Sequence, residues 1–353
     1  MNNISYRFGY REFYTDSEQW ISFDKIDSKN RINLNSLVYL NGQPILKYQT
    51  YNKTKILNVL NNLLDTTNGN QKFIYYFVGE APTLEKINKD GYVSYPEKIS
   101  RLLITIFKNR NKLKNLYFVS SEYNPSYKTI NHISSNFWLG KSYLNNKLIP
   151  IKNRKLKRYF LHQSRRVTIH RNKLYNHLKS NNIIEDIHIS FASNDISNSL
   201  YNSVEGYPIT DSTRNEQCVV KDYYMDSFCN LVFESHYKTT FFTEKIDKPL
   251  LAQQPFIVFS SQHYLKSLKE LGFKTFDKWW DESYDEIEDT TVRLNKILKV
   301  IDYIYSHSLS DLELILNDMR PVLVHNHMKR NFISKKIKNY GLIYPYHKII
   351  KSI

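Results

Sequence analysis

The chain has 353 residues, 41% of them hydrophobic, with a formal net charge of +16, which suits a globular protein with one large core or two domains. Two cysteines, Cys218 and Cys229, are too few for a disulfide framework or a cysteine-built zinc site. No apolar run reaches membrane-spanning length and the amino-terminal MNNISYRFGY carries no signal-peptide pattern, so the expectation is a soluble, cytoplasmic protein, of a cell or of an infected host.

Residues 1–50 are irregular and aromatic, with turn signals at Asn41-Gly42 and Pro44. Lys55 to Leu64 has helical spacing through Ile56, Leu57, Leu60 and Leu64. Phe73 to Val78 is a β-rich run ending in Gly79-Glu80-Ala81-Pro82, which puts Glu80 at the carboxyl end of a strand. Ile99 to Phe107 reads as a helix and Asn115 to Ser120 as the next strand, completing one α/β unit.

The positive charge is concentrated near the middle of the chain. From Arg101 to Ile184 there are 18 Lys and Arg against one acid, Glu122, a local +17 that exceeds the whole-chain value. Lys152 to Lys173 alone holds nine Lys and Arg and no acid. The skew toward Lys, Asn, Ile and Tyr is what an AT-rich genome produces, but a bias this local points further. Arg154, Lys155, Lys157, Arg158, Arg165 and Arg166 are candidates for a polyanion-binding face, the alternative being a solvated linker and helix surface. Within this stretch Tyr159 to His162 reads as a strand and Val167 to Leu178 as a helix, with Ile187 to Phe191 the strand after it. Residues 192–222 read as a polar loop.

Asn230 to Asp289 organises the rest. Leu231 to Glu234 is a strand, a short helix opens at Thr243, Pro255 to Phe259 is a buried strand, and an amphipathic helix closes at Gly272. This is a parallel βαβα unit. In open α/β sheets ligands bind beyond the carboxyl ends of strands, where helix N-termini aim N–H groups and a positive dipole end at anions. Thr243 is placed as an N-cap, Glu244 follows it, and Lys245 adds a full charge to the same turn. Glu234, ending the strand, can accept from hydroxyls. An anion-binding end beside a hydroxyl-binding carboxylate suits a sugar nucleotide. The plainer alternative, a capped surface helix, sits poorly with Phe241-Phe242 before the cap and Pro249 inside the helix.

Val292 to Tyr305 and Ser310 to Met319 read as amphipathic helices, with Pro321 beyond the second, and the basic tail from His325 as a returning helix or a loose arm. The acids from Asp281 to Asp289 read as a solvated face rather than a metal site, and His325-x-His327 lacks ligand partners at suitable spacing. Walker and GxGxxG loops are missing. So is an Asp-x-Asp that would hold a metal-bound sugar nucleotide, Asp226 and Asp277 being lone candidates. The expectation is therefore a site without metal or cofactor, neutralising a leaving diphosphate with Arg, Lys and helix dipoles.

Phe233-Glu234-Ser235 followed by Phe242-Thr243-Glu244-Lys245-Ile246 resembles the donor-binding signature of the α1,3-fucosyltransferase family, usually Phe-Glu-Asn-Ser and then Tyr-x-Thr-Glu-Lys. The continuation through Trp279-Trp280 is similar to fucosyltransferase-like proteins of phages and marine microbes. The specific match covers roughly a quarter of the chain. Ser235 in place of Asn and Phe242 in place of Tyr bear on the identity of the sugar. The resemblance implies two Rossmann-like α/β domains facing a cleft (GT-B), with an acceptor domain over 1–155, a donor domain over 156–353, and the last helix crossing back. It implies inverting transfer of a fucose-like sugar from a nucleoside-diphosphate sugar, a GDP-sugar first, to a hydroxyl on a glycan. Arg171, before a Leu-containing helix, is carried over as a phosphate contact, a surface arginine being the alternative. Glu80, in FIYYFVGEAP, is carried over as the catalytic base, a turn-capping glutamate being the alternative. Two other readings stay open. One is a phage-type DNA glycosyltransferase acting on hydroxymethylated bases, the other a non-catalytic nucleic-acid-binding protein on a transferase scaffold.

Overall fold

The computed structural model describes residues 5–7, 37–41, 61, 64–65, 72–77, 95–120, 123, 131–134, 139–144, 146–164, 168–191, 218–219, 221–235, 237 and 239–340. The chain divides into two compact units, Met1–Phe137 with Lys336–Ile353, and Trp138–Lys335.

In the first unit, strands β1 (Ser5–Arg7), β2 (Leu37–Asn41), β3 (Lys72–Phe77), β4 (Leu116–Ser120) and β5 (Asn131–Ser134) form one parallel sheet in chain order. Helix α1 (Tyr95–Asn109) connects β3 to β4. Its apolar face supplies the buried Leu103, Ile106 and Phe107, and the Phe107 ring stands edge-on to Phe73, 4.9 Å between centroids. The strands and helix expected over 73–120 are therefore present. Of the helix expected over 55–64 only residues 61 and 64 are described, and Leu64 is buried.

The second unit opens with β6 (Tyr143–Leu144). Then come β7 (Arg158–Ser164), α2 (Ile169–Ser180), β8 (Ile187–Phe191), β9 (Cys218–Val219), α3 (Lys221–Met225) and β10 (Ser227–Phe233). After them lie α4 (Glu244–Ala252), β11 (Phe256–Phe259), α5 (Tyr264–Glu270), α6 (Thr290–Tyr305), α7 (Leu309–Asp318) and α8 (Arg320–Tyr340). The main sheet is parallel, in the order β11-β10-β7-β8, and β6 pairs with β9. Each residue of β10 and β11 is buried, as in parallel strands covered on both faces, Ser227 and Asn230 of β10 being the polar exceptions to an otherwise apolar pair. Both units are thus α/β with parallel sheets, the expected class. Among the described residues no helix is long and apolar enough to cross a membrane.

Several expectations are corrected. The division falls before Trp138, not after residue 155, because Gly140, Ser142 and Arg154 are all bonded to groups of α4. The end of the supposed 192–222 loop is β9 and α3; residues 192–217 lie outside the described residues. Pro321 lies beyond α7 as expected, in the first turn of α8, where a missing N–H costs nothing. The acids of 281–289 are not merely a solvated face. Asp285 is buried and accepts from the N–H groups of Leu265 (2.8 Å) and Lys266 (3.0 Å), closing the open end of α5. Glu282 is buried against the Phe276 N–H, and Asp289 caps α6.

Candidate functional site

The carboxyl end of β10 and the start of α4 meet as the motif spacing predicts. Thr243 has extended backbone and its hydroxyl accepts from the Lys245 N–H at 3.1 Å, making it the N-cap. The same hydroxyl lies 2.8 Å from both carboxylate oxygens of Glu234 and donates to them. Tyr264 O–H, from α5, approaches Glu234 Oε1 at 3.3 Å. Lys245 Nζ lies 2.8 Å from Glu244 and 3.7 Å from Glu234. Four of the five residues assigned to the donor site from sequence therefore form one contiguous cluster.

Burial sets the electrostatics of this cluster. Glu234 is 1% exposed, and desolvation pushes its carboxyl above the usual carboxylate range, with Lys245 and the Thr243 hydrogen bond pulling the other way. Burial also disfavours the Lys245 ammonium, but the flanking Glu234 and Glu244 carboxylates outweigh it and hold its pKa above the ordinary lysine value. Glu244 is pushed up by burial and brought below its ordinary value by Lys245. The result is a permanent ammonium at a helix N-terminus, beside a carboxylate that is occupied within the protein.

Arg171 is neither a surface arginine nor turned to solvent. It is 1% exposed; its Nε donates to the Phe233 carbonyl at 3.2 Å and a terminal nitrogen donates to Ser235 Oγ at 3.1 Å. The adjacent His170 Nε2 donates to the Glu234 carbonyl at 3.0 Å. Helix α2 thus grips the end of β10 through two consecutive side chains, and the serine standing where the signature has Asn is one of the groups held. His162, on β7, is fully buried, with Nδ1 2.8 Å from the Leu231 carbonyl and Nε2 2.7 Å from Ser164 Oγ. Desolvation lowers His162 to about 3 and His170 to about 4, so both imidazoles are neutral. The sequence reading of α2 rested on Arg171, and nothing in it singled out Tyr264 or His162.

The basic stretch comes apart. Arg154 is 4% exposed. It donates to the carbonyls of Ile149 (3.2 Å), Gln253 (2.7 Å) and Ala252 (2.9 Å), closing the C-terminus of α4, so it is no part of a polyanion-binding face. Lys155 is exposed but pairs with Glu313 at 3.1 Å, and Lys157 faces Asp226 at 3.9 Å. Arg158 donates to the Lys157 carbonyl at 3.1 Å. Arg165, Arg166 and the proposed base Glu80 lie outside the described residues. Asp226 is bonded to His188 at 2.7 Å and Asp277 to Lys269 at 2.8 Å. His325 and His327 bond the carbonyls of Gly272 and Leu251.

No family model and no curated protein sequence matches the chain. Several solved structures resemble it. A crystal structure of TarM shares 12% identity over 91% of this chain and 58% of that one, TM-score 0.37. S. aureus TarM was also solved with fondaparinux, alpha-GlcNAc-glycerol and UDP, at 11% identity over the same shares and the same score. The chain thus spans 58% of the length of the TarM structures. An α1,3-fucosyltransferase matches at 13% identity over 98% of this chain and 94% of that one, TM-score 0.36. The spinosyn rhamnosyltransferase SpnG with thymidine diphosphate matches at 9% identity over 86% and 75%, TM-score 0.31.

Proposed function

We propose that the chain is an inverting glycosyltransferase of the GT-B class, moving a sugar from a nucleoside-diphosphate sugar to a hydroxyl of a glycan. The observation that carries this reading is the assembly of both halves of the donor signature at one strand end. Thr243 is bonded to Glu234 at 2.8 Å, and Lys245 stands at the N-terminus of α4 beside them. A decayed scaffold kept only for binding nucleic acid has no reason to retain that set.

In this reading the acceptor hydroxyl attacks the anomeric carbon while the bond from that carbon to the diphosphate oxygen breaks, inverting the centre. The hydroxyl proton passes to a carboxylate, for which Glu80 is the candidate from sequence. The diphosphate leaves with an added negative charge, and the Lys245 ammonium with the positive end of the α4 dipole stabilises it. This reading assigns that neutralisation to the chain's own cations rather than to a metal, in keeping with a sequence that has no Asp-x-Asp. Glu234 accepts donor hydroxyls in exchange for its bonds to Thr243 and Tyr264. Arg171, held behind the strand end, contributes positive potential and fixes Ser235. A fucose-like sugar on GDP is the first donor to test, following the motif resemblance. A glycan acceptor is favoured over DNA because Arg154 is consumed inside the protein and Lys155 and Lys157 face acids.

A thermal-shift screen with GDP-, UDP- and dTDP-sugars selects the donor. Radiolabel transfer to a glycan panel and to hydroxymethylated duplex DNA then identifies the acceptor. Label on glycan is expected. Label on DNA alone would replace the glycan with DNA, and no stabilisation by any nucleotide would end the reading. Glu80→Gln should lower kcat at least about a hundredfold with donor affinity intact; unchanged turnover would remove Glu80 as the base.

A further inference from the structure

Asp247 lies one turn beyond the Thr243 cap on α4 and is fully buried, 0% exposed. It accepts four hydrogen bonds. Two come from the backbone of the preceding segment, Gly140 N–H at 2.6 Å and Ser142 N–H at 2.7 Å. The other two come from Arg330 on α8, Nε and a terminal nitrogen, both at 2.8 Å. The Arg330 fork also donates to the Ser142 carbonyl at 2.5 Å, and Ser334 Oγ donates to the Gly140 carbonyl at 2.6 Å. Gly140 has φ +86°, and a Cβ there would stand 2.6 Å from Ser334, so only glycine allows the approach.

These residues hold a particular place in the second unit. Gly140 lies just inside its first residue, Trp138, and Ser334 immediately precedes its last, Lys335. One carboxylate therefore fastens both ends of the unit's chain to the helix whose first turn carries Thr243, Glu244 and Lys245. A carboxylate with every lone pair used, facing a planar guanidinium fork, fixes direction as well as distance. A salt bridge needed only for solubility would not be buried, and one needed only for packing could be replaced by apolar groups.

We infer that Asp247, through Arg330, is the positioning residue of the donor site: it sets the axial place of α4 and hence where the Lys245 ammonium and the helix N–H groups meet the diphosphate. This rests on the donor reading for its ligand, and on the structure alone for the anchoring.

Arg330→Lys keeps a positive charge opposite Asp247 but loses the fork and the bond to the Ser142 carbonyl, and Asp247→Asn keeps shape without charge. Both are compared with wild type by hydrogen exchange and by titration calorimetry with GDP, UDP and dTDP, using protein shown to be folded. The expected result for Arg330→Lys is faster amide exchange over 244–252 together with 139–144, and at least about tenfold weaker binding of whichever nucleotide wild type prefers. Should Asp247→Asn fail to fold, Arg330→Lys carries the test. Ser334→Ala, which removes one bond from the same junction, should move in the same direction by less. Wild-type exchange over 244–252 in folded Arg330→Lys would overturn the inference, as would altered exchange with undiminished nucleotide affinity. If wild type binds none of the three nucleotides, the donor reading fails by itself, and the exchange measurement still decides the anchoring.

Discussion

The carboxyl end of β10 and the segment from Lys152 to Arg158 are both dense in charge, and they use it in opposite ways. At the strand end, residues up to 30 positions away converge on the Glu234 carboxylate, and their polar groups are buried together. In the basic segment, neighbours in sequence diverge. Arg154 turns inward to the end of α4, Lys155 meets Glu313, and Lys157 meets Asp226. Density along the chain is thus a poor guide to a binding surface, because alternating positions on an extended strand or a short turn face different neighbours. Convergence from separate elements is the better guide, since several groups must be desolvated together for a reason.

Four measurements break or sharpen this contrast. The largest effect belongs to the strand end in acid. His162 and His170 are held near 3 and 4, below the free value of 6.5, so the unfolded chain takes up protons first as the pH falls. Their contribution to stability is full above about pH 6.5 and is lost on the way down, to about 4 for His170 and about 3 for His162. Each should cost about 2 kcal/mol at pH 5, so denaturant melts at pH 7 and pH 5 should differ by about 4 kcal/mol from these groups. His170→Asn should remove about half of that difference; an unchanged difference would show that His170 titrates freely.

Next is Arg154→Ala, which leaves the carbonyls of Ala252 and Gln253 without their charged donor. It should destabilise the fold by about 3 kcal/mol and leave the salt dependence of any DNA binding as it was. A variant of wild-type stability with a flatter salt slope would return Arg154 to the surface. Lys245→Ala should weaken nucleoside-diphosphate binding by about 2–3 kcal/mol without unfolding the protein; equal affinity in calorimetry would take Lys245 out of the donor site. The smallest effect is expected from Lys155→Gln with Lys157→Gln, two exposed pairs whose combined loss should stay under about 1 kcal/mol. A large drop in melting temperature would show that these pairs act as a network.

Much of this arrangement was legible in the sequence. The strands at 187–191 and 256–259, the helix start at Thr243 and the helices ending near residues 305 and 319 follow from periodicity, caps and unbroken apolar runs, which are local signals. The meeting of Glu234 with Thr243 was legible too, because a strand end and a helix start nine residues apart have few ways to part. What was not legible depends on partners far away in sequence. Asp247 looks like a surface helix residue until Arg330 arrives, and Arg154 like one more cation until α4 ends beside it. Pro321 was read correctly as lying beyond the helix that ends near Met319, but not as part of the next one. A proline marks a boundary without saying which side it belongs to, and here Met319 in helical conformation lets α8 begin where α7 stops.

The main sheet of the second unit can be divided along one line. β7, α2 and β8 make one neighbouring pair of strands with its helix, β10, α4 and β11 another, and within the sheet they meet where β7 pairs with β10, Phe160 opposite Cys229 and Leu161 opposite Asn230. Each half is a local structure, but the seam links residues about seventy positions apart, so closing it costs more chain entropy than forming either half. The grip of His170 and Arg171 on Glu234 and Phe233 spans this same seam. The cluster at the end of β10 therefore cannot exist in either half alone. It comes into being only with that long-range pairing, so a newly made chain acquires it only after β10 has docked on β7.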